Sequence, residues 1–512
     1  MSFSEDMTDV SLDGASRTET NPLRLQSLNG DVLSHITSFL TYPDALSLLC
    51  TCKAISRVSI DPALHTVVLG RSSAELLHFR DFLLAKTSRA LFVKSLKITK
   101  TVTWDLDSKD IARALADVLE KTTRLEAFSC GAMRELITVD SRIKENLIYL
   151  TELRELTLLE GGPEIVNIAT SSKSITIEQL TLDLLFHANK VTFEDFFGQL
   201  SRHRRLTHLS ISRMYDRIII PPNWEPALAR ARMASVRNLT FTCTYIPLAL
   251  ASAAFPNVTR LHFSNARHYP KFGPVRVQKP VDVTPCWPML EDAQIDARDL
   301  EIWPVASATR RLDLDVLRGG YSVEALTAVE RMNPWVLACA YTIDADNLFW
   351  VRLPIIATEL RFLDVRVLEL SGSPRKYMLM HLTRLPALTV LFVCIRAFHQ
   401  PLDAAAEISA LARQLGQHNS NLRFVGLSFA DGRSMREDEP VFDEERLGST
   451  WFEIRRGKLE DIVMEDGAMV VDDWEPMEVV AIPTAVGLKV RDYMYEADYD
   501  TPGWEDRLST FS

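Results

Sequence analysis

Glycine is scarce in this chain, with 19 among 512 residues. No Gly-x-Gly-x-x-Gly run, no phosphate loop closing on Gly-Lys-Ser/Thr and no Gly-x-Ser-x-Gly elbow is present. The backbone cradles and strained turns of nucleotide-binding enzymes and α/β-hydrolases are therefore not encoded. Gly161-Gly162 and Gly319-Gly320 read as turns. The seven cysteines, at 50, 52, 130, 243, 286, 339 and 394, include no Cys-x-x-Cys pair, which removes the spacing of a zinc knuckle. Their odd number and scatter predict reduced, buried thiols. His-Glu-x-x-His is absent, and Arg202-His203-Arg204-Arg205 reads as a solvated helix end. Asp313 with Asp315, Asp344 with Asp346, and Asp472-Asp473 offer paired oxygen ligands, but 68 acids generate such pairs by chance. No catalytic site, metal or cofactor is expected.

Long apolar runs are also missing. No stretch of 18 residues is both apolar and free of charge, so no membrane span is predicted. The opening MSFSEDMTDVSLDGASRTETNPL is acidic and polar, unlike a secretory signal, and a cytoplasmic or nuclear location is expected. Asn238-Leu239-Thr240 and Asn257-Val258-Thr259 fit the glycosylation pattern but read as repeat residues. Net charge is −11, unevenly placed. Residues 1–21 hold five acids and one Arg (−4), and residues 431–512 hold twenty-two acids and nine bases (−13), leaving +6 between them. The acidic end argues against a nucleic-acid partner.

What fills the middle is a worn repeat. LFVKSLKIT, LTELRELTLLE, HRRLTHLSIS, VRNLTFTC, LPALTVLFVC and SNLRFVGLSFA each give an apolar residue, a few polar ones, then Leu-x-Leu or Leu-x-Phe. Leu96, Leu125, Leu156, Leu180, Leu209, Leu239 and Leu261 read as equivalent, 22 to 31 residues apart. Alternating side chains put the last two apolar residues on one strand face. Helical candidates lie between the strands, at 74–91, 108–125, 192–206, 224–236 and 403–417. In the helix at 108–125, Ile111, Leu115, Val118 and Leu119 share a face. The pattern resembles leucine-rich repeats, one strand and one helix or loop per unit, stacked into an α/β solenoid. The rival fold is a doubly wound α/β enzyme, which would want a glycine-rich first turn. Two places break the rhythm: a Pro-rich, basic loop at 266–288, and an apolar stretch at 333–354 of unclear register.

The front of the chain, SLNGDVLSHITSFLTYPDALSLLCTCKAISRVSIDPALHTVVL, reads as three small helices. Val32, Leu33, Ile36, Phe39 and Leu40 recur at helical spacing. Thr41 can cap a second helix, with Pro43 and Asp44 in its first turn. Leu46, Leu48 and Leu49 follow, then Cys52, Ile55 and Val58 before Asp61-Pro62. The stretch resembles an F-box, with Leu28, Val32-Leu33, Ile36, Leu40, Asp44, Leu46, Cys52-Lys53 and Asp61-Pro62 at family positions. Asn29 and Ile55 depart from the usual Pro and Trp. Without the resemblance, the stretch reads as a helical subdomain packed on its own chain.

The resemblance implies a substrate-recognition subunit of an SCF-type ubiquitin ligase, without catalysis of its own. It would dock on the Skp-type adaptor of a cullin–RING ligase through Leu28, Val32, Leu33, Ile36, Leu40, Leu46, Leu49 and Ile55, and hold a protein substrate on the repeats. Arg267, Tyr269, Lys271 and Arg276, with Trp287 nearby, are candidates for that substrate contact, the bases suiting an acidic or phosphorylated segment. The alternative is a leucine-rich-repeat scaffold or binding protein outside any ligase. The expected organisation is an acidic N-terminus (1–24), an F-box (25–70), an irregular leucine-rich-repeat solenoid (71–430), and an acidic C-terminal cap and tail (431–512). The final VRDYMYEADYDTPGWEDRLSTFS reads either as a frayed tail or strap, or as a lid over the strand face.

Overall fold

The computed structural model describes residues 28–40, 44, 47–48, 64–99, 108–184, 191–214, 218–219, 225–244, 246–264, 287–301, 303–317, 320–342, 348–368, 381–382, 384–397, 404–431, 449–456 and 477–511. One sheet of sixteen strands runs through it, each of its strands pairing with the next along the chain, and Val191–Thr192 pairs with Ile218–Ile219 in a separate two-stranded sheet. The strands are β1 (Thr66–Leu69), β2 (Ser95–Ile98), β3 (Ala127–Cys130), β4 (Glu155–Gly161), β5 (Gln179–Leu184), β6 (His208–Ser212), β7 (Asn238–Thr242) and β8 (Arg260–Ser264). They continue as β9 (Leu290–Ile295), β10 (Thr309–Leu317), β11 (Val336–Thr342), β12 (Phe362–Leu368), β13 (Val390–Ala397), β14 (Phe424–Asp431), β15 (Thr450–Arg456) and β16 (Met477–Ile482). The first fourteen are parallel, and β15 and β16 then pair antiparallel. The architecture is an alternating helix and parallel-strand solenoid, consistent with a leucine-rich-repeat type.

Register explains the sequence pattern. Leu96, Phe128, Leu156, Leu180, Leu209 and Leu239 stand side by side across six strands. The row continues through Leu261, Ala293, Leu312, Leu337, Leu363, Leu391 and Val425. Each has an inward partner two residues on, such as Ile98, Leu158, Phe241 or Leu427, and most have another three residues before, such as Val93, Leu153, Val236 or Leu422, all buried. Burying one such side chain is worth about 1.5–3 kcal/mol. The equivalence of Leu125 with Leu96 is corrected: Phe128 stands beside Leu96, and Leu125 fills the buried place three residues earlier. The true spacing is irregular, from 19 residues between Ala293 and Leu312 to 34 between Leu391 and Val425.

Helices line the inner side of this sheet, among them Ser73–Leu84, Ser108–Lys121, Pro163–Ser171, Phe193–Leu200, Ser322–Met332 and Ala404–His418. Their apolar faces share one core with the inward strand residues. The stretch at 333–354 resolves into β11 and a helix at Leu348–Ile356. The solenoid begins earlier than residue 71, because Val67 and Leu69 of β1 alternate into the same core. At its far end Arg456 donates to the carbonyls of Gly416 and Asn419 (3.1 and 2.6 Å), satisfying the end of the last helix.

Two sequence readings change here. His203 is not a solvated helix end: it is buried, its ring nitrogens 3.1 and 3.0 Å from the carbonyl oxygens of Ser174 and Ala169. Trp287 is not displayed for recognition: its indole is buried and donates to the Phe255 carbonyl at 2.8 Å. Buried carbonyls between repeats need such donors, since no ladder reaches them. The thiols of Cys130, Cys339 and Cys394 are buried, and burial pushes them up, to about 12 for Cys130 and about 11 for Cys394.

Candidate functional site

The sheet has a second face, turned away from the helices, and its register can be read across the whole array. Outward neighbours run Lys97, Ser129, Thr157, Thr181, Ser210 and Thr240. They continue through His262, Gln294 and Asp313. From there the row turns apolar around one acid: Ala338, Asp364, Phe392, Gly426 and Trp451. Ser129, Thr157, Thr181, Ser210 and Thr240 are each half-buried by their neighbours and partly exposed.

From β11 onward the face is covered by the chain itself. A helix at Thr484–Glu496, a turn, and a short helix at Trp504–Leu508 lie across it. Val490, Met494 and Leu508 are buried against Val336, Phe362, Val390, Phe392, Phe424 and Trp451, a second apolar cluster distinct from the inner core. Residues 484–511 are thus packed on the strand face and not frayed from it. Two glycines make the fit: a Cβ on Gly487 would lie 2.0 Å from the Trp451 ring, and one on Gly426 would lie 2.7 Å from that ring and 2.6 Å from Phe392. Asp364, fully buried, accepts from Arg491 Nη2 at 2.9 Å and from the Tyr495 hydroxyl. The Arg311 guanidinium sits 4.1 Å from the Tyr495 ring centre. Burial disfavours the Arg491 charge, but Asp364 and Tyr495 outweigh it and raise its pKa. Burial first, and then the Asp364 carboxylate, hold the Tyr495 phenol far above its ordinary value, so it stays a donor.

Between the open and covered parts lies a charged seam. Arg311 reaches Asp292 and Asp313, each at 3.7 Å, and Arg298 clasps Asp296. Burial pushes Asp313 up to about 6, aided by Asp364 and Asp315 and opposed by Arg311 and Arg366. His262, across the seam, is lowered by burial against the pull of Asp315 and Asp292. A carboxyl held above its unfolded value binds more protons when folded. Its contribution is therefore fully present below about pH 4 and lost as pH rises through about 6. Asp313→Asn is expected to remove that slope and raise stability at pH 7 by about 1–2 kcal/mol, its side chain being 21% exposed. Urea titrations at pH 4, 5, 6 and 7 check this; parallel pH profiles for variant and wild type would contradict it.

The residues predicted for adaptor contact fall as follows. Helix α1 (Gly30–Ser38) is capped by Asn29 and turns Leu33 inward, 5% exposed. Val32, Ile36 and Phe39 remain 46, 37 and 76% exposed, an apolar stripe one turn apart. Leu28 and Leu40 are half-buried. Leu46, Leu49 and Ile55 lie outside the described residues, as do Arg267, Tyr269, Lys271 and Arg276. Asp364, Arg491 and Tyr495 were not foreseen. The available signals were an acid at an outward position of an apolar strand, FLDVRVL, and an Arg and Tyr four residues apart, facing one way on a helix. Among the described residues no group of three His, Cys, Asp or Glu stands close enough to hold a metal ion, and no helix is long and apolar enough to cross a membrane.

No family model matches the chain, and no match was found among curated proteins. Among solved structures it is similar to the leucine-rich repeat-containing protein LegL7 from Legionella pneumophila. That alignment covers 68% of this chain and 87% of the other at 13% identity, with a TM-score of 0.28.

Proposed function

We propose that this protein is a non-catalytic scaffold that binds other proteins on the outward strand face between β2 and β9. The observation carrying this is the partly exposed row Ser129, Thr157, Thr181, Ser210 and Thr240, set in register beside a length of the same face that residues 484–511 cover. Short hydroxyls at fixed spacing on a rigid sheet present hydrogen-bonding groups with little entropy left to lose on binding. Ser210→Arg with Thr240→Arg leaves the inner core untouched. It is expected to remove most proteins captured on the immobilised chain while shifting the melting temperature by no more than about two degrees. An unchanged capture profile would move recognition off this face.

A narrower reading is favoured by one observation, the exposed stripe Val32, Ile36 and Phe39 on α1. Isolated apolar side chains are ordinary at a surface, but three aligned on one short helix suit a helix-to-helix contact. In this reading the stripe docks on a Skp-type adaptor, and the scaffold presents a substrate to a cullin–RING ligase. Ile36→Asp together with Phe39→Asp is expected to reduce adaptor recovery in co-purification at least tenfold, with circular dichroism unchanged. Stoichiometric adaptor in complex with that variant would exclude the ligase reading and leave the scaffold standing.

A further inference from the structure

The covered part of the strand face has the features of a binding surface with its ligand already in place. The sheet does not need this cover to end, because the antiparallel pair β15 and β16 already closes the stack. The covering segment is gripped along one edge by arginines placed at the starts of alternate strands. Arg310 donates to the carbonyls of Glu496 and Ala497. Arg423 donates to the Glu505 carbonyl at 3.3 Å and to Ser509 Oγ at 2.6 Å. Between them the Arg361 guanidinium stands 6.0 Å from the Trp504 ring centre. Carbonyl-directed contacts of this kind read the course of a peptide, and a different sequence can satisfy them.

The resident segment matches that edge in charge. Residues 496–511 hold Glu496, Asp498, Asp500, Glu505 and Asp506 against one base, Arg507, for a net −4. Their aromatic rings fill the rest: Tyr499 packs on Trp335 (5.4 Å between ring centres) and on Trp504 (4.9 Å). Release strands no charge, because Asp364 and the three arginines all become hydrated when the segment lifts. An occupant tethered in cis has an effective concentration in the millimolar range, enough to exclude weak competitors while yielding to a stronger one.

We propose that the arginine-edged face of β10–β14 is a docking surface for an acidic, aromatic peptide segment of a partner protein, occupied in the free chain by its own residues 484–511. The proposal takes from the scaffold reading only that the chain binds proteins, and its surface is separate from the hydroxyl row. Aromatic and arginine anchors are the groups in which protein interfaces concentrate their energy.

The test uses full-length protein with the resident segment weakened in itself, Arg491→Ala with Tyr495→Ala, so that the docking surface is unaltered. The probe is a fluorescein-labelled peptide of residues 483–511. It is expected to bind this variant with a micromolar Kd and wild type at least tenfold more weakly. Adding Arg310→Ser and Arg423→Ser should weaken binding a further tenfold, and a probe with its five acids between 496 and 506 changed to the amides should bind several-fold more weakly than the acidic one. No difference between the weakened variant and wild type, or indifference to the two arginines, would overturn the proposal. Should the weakened variant not fold, hydrogen exchange on wild type decides. Amides of 484–511 are expected to exchange at least tenfold faster than those of β12 and β13, and equal rates would make the segment part of the core and end the proposal. Capture of proteins by the hydroxyl row is measured separately with Ser210→Arg and Thr240→Arg, so either idea can fail alone.

Discussion

Trp303→Ala is expected to produce the largest loss of stability from a single side chain, about 3–5 kcal/mol. Its indole is fully buried, stacked on Phe263 with ring centres 3.9 Å apart and planes 6° apart, and set edge-on to Phe241 at 6.1 Å. Its N–H donates to the Ile246 carbonyl at 2.6 Å. One side chain thus joins β7, β8 and the connection after β9. Truncation opens a cavity across three units and leaves a buried carbonyl unsatisfied. Trp303→Phe keeps most of the ring and should lose only the carbonyl's partner and some volume, about 1–2 kcal/mol. Urea denaturation followed by circular dichroism measures both. In a stack whose units touch only their neighbours, hydrogen exchange should place the damage at β7–β10 and spare β2–β4. A uniform loss along the chain would contradict that local picture.

Arg491→Met should act differently, although it strips a buried carboxylate of its cation. Removing one partner of a buried pair costs about 3–5 kcal/mol when the remaining charge has nowhere to go. Here the chain can release residues 484–511 and let Asp364 meet water. The loss is therefore expected as detachment, with protection of 484–511 against hydrogen exchange falling by about 100-fold or more while the inner core keeps its protection. The double variant Asp364→Leu with Arg491→Met removes both charges and should recover at least a tenth of wild-type protection. Double-mutant coupling near zero would mean that the pair does not fasten the segment.

Much of the array was legible because its signal is local. An inward strand residue, another two places on and a third three places before, as in Leu209, Ile211 and Leu206, lie within one short segment and need no partner far along the chain to be read. Leu125 shows where this ends: the pattern marks the leucine, but Phe128 carries the inward position beside Leu96, and only register reveals it. The fate of Trp287 and His203 was hidden for another reason. Each serves a carbonyl from another repeat, Phe255 in one case and Ala169 in the other, and composition says nothing of such needs. On α1 the sequence offered Val32, Leu33 and Ile36 as one set, while the fold turns Leu33 inward and leaves its neighbours out. The seat of the C-terminal segment was the least legible part. Arg491 and Asp364 are 127 positions apart, and nothing periodic links them.

The position of the covering segment also bears on how the chain is made. Synthesis runs from the first residue to the last, and every neighbour contact from β1 to β14 can form as the chain emerges. The cover for Phe362, Val390, Phe392, Phe424 and Trp451 comes only with residues 484–511. Until then a growing chain displays a broad greasy shelf, the kind of surface chaperones hold and proteases sample. A product halted by an early stop codon would keep that shelf bare, however well its repeats had folded. What residues 484–511 bring, after all the parallel strands have been made, is concealment of that shelf.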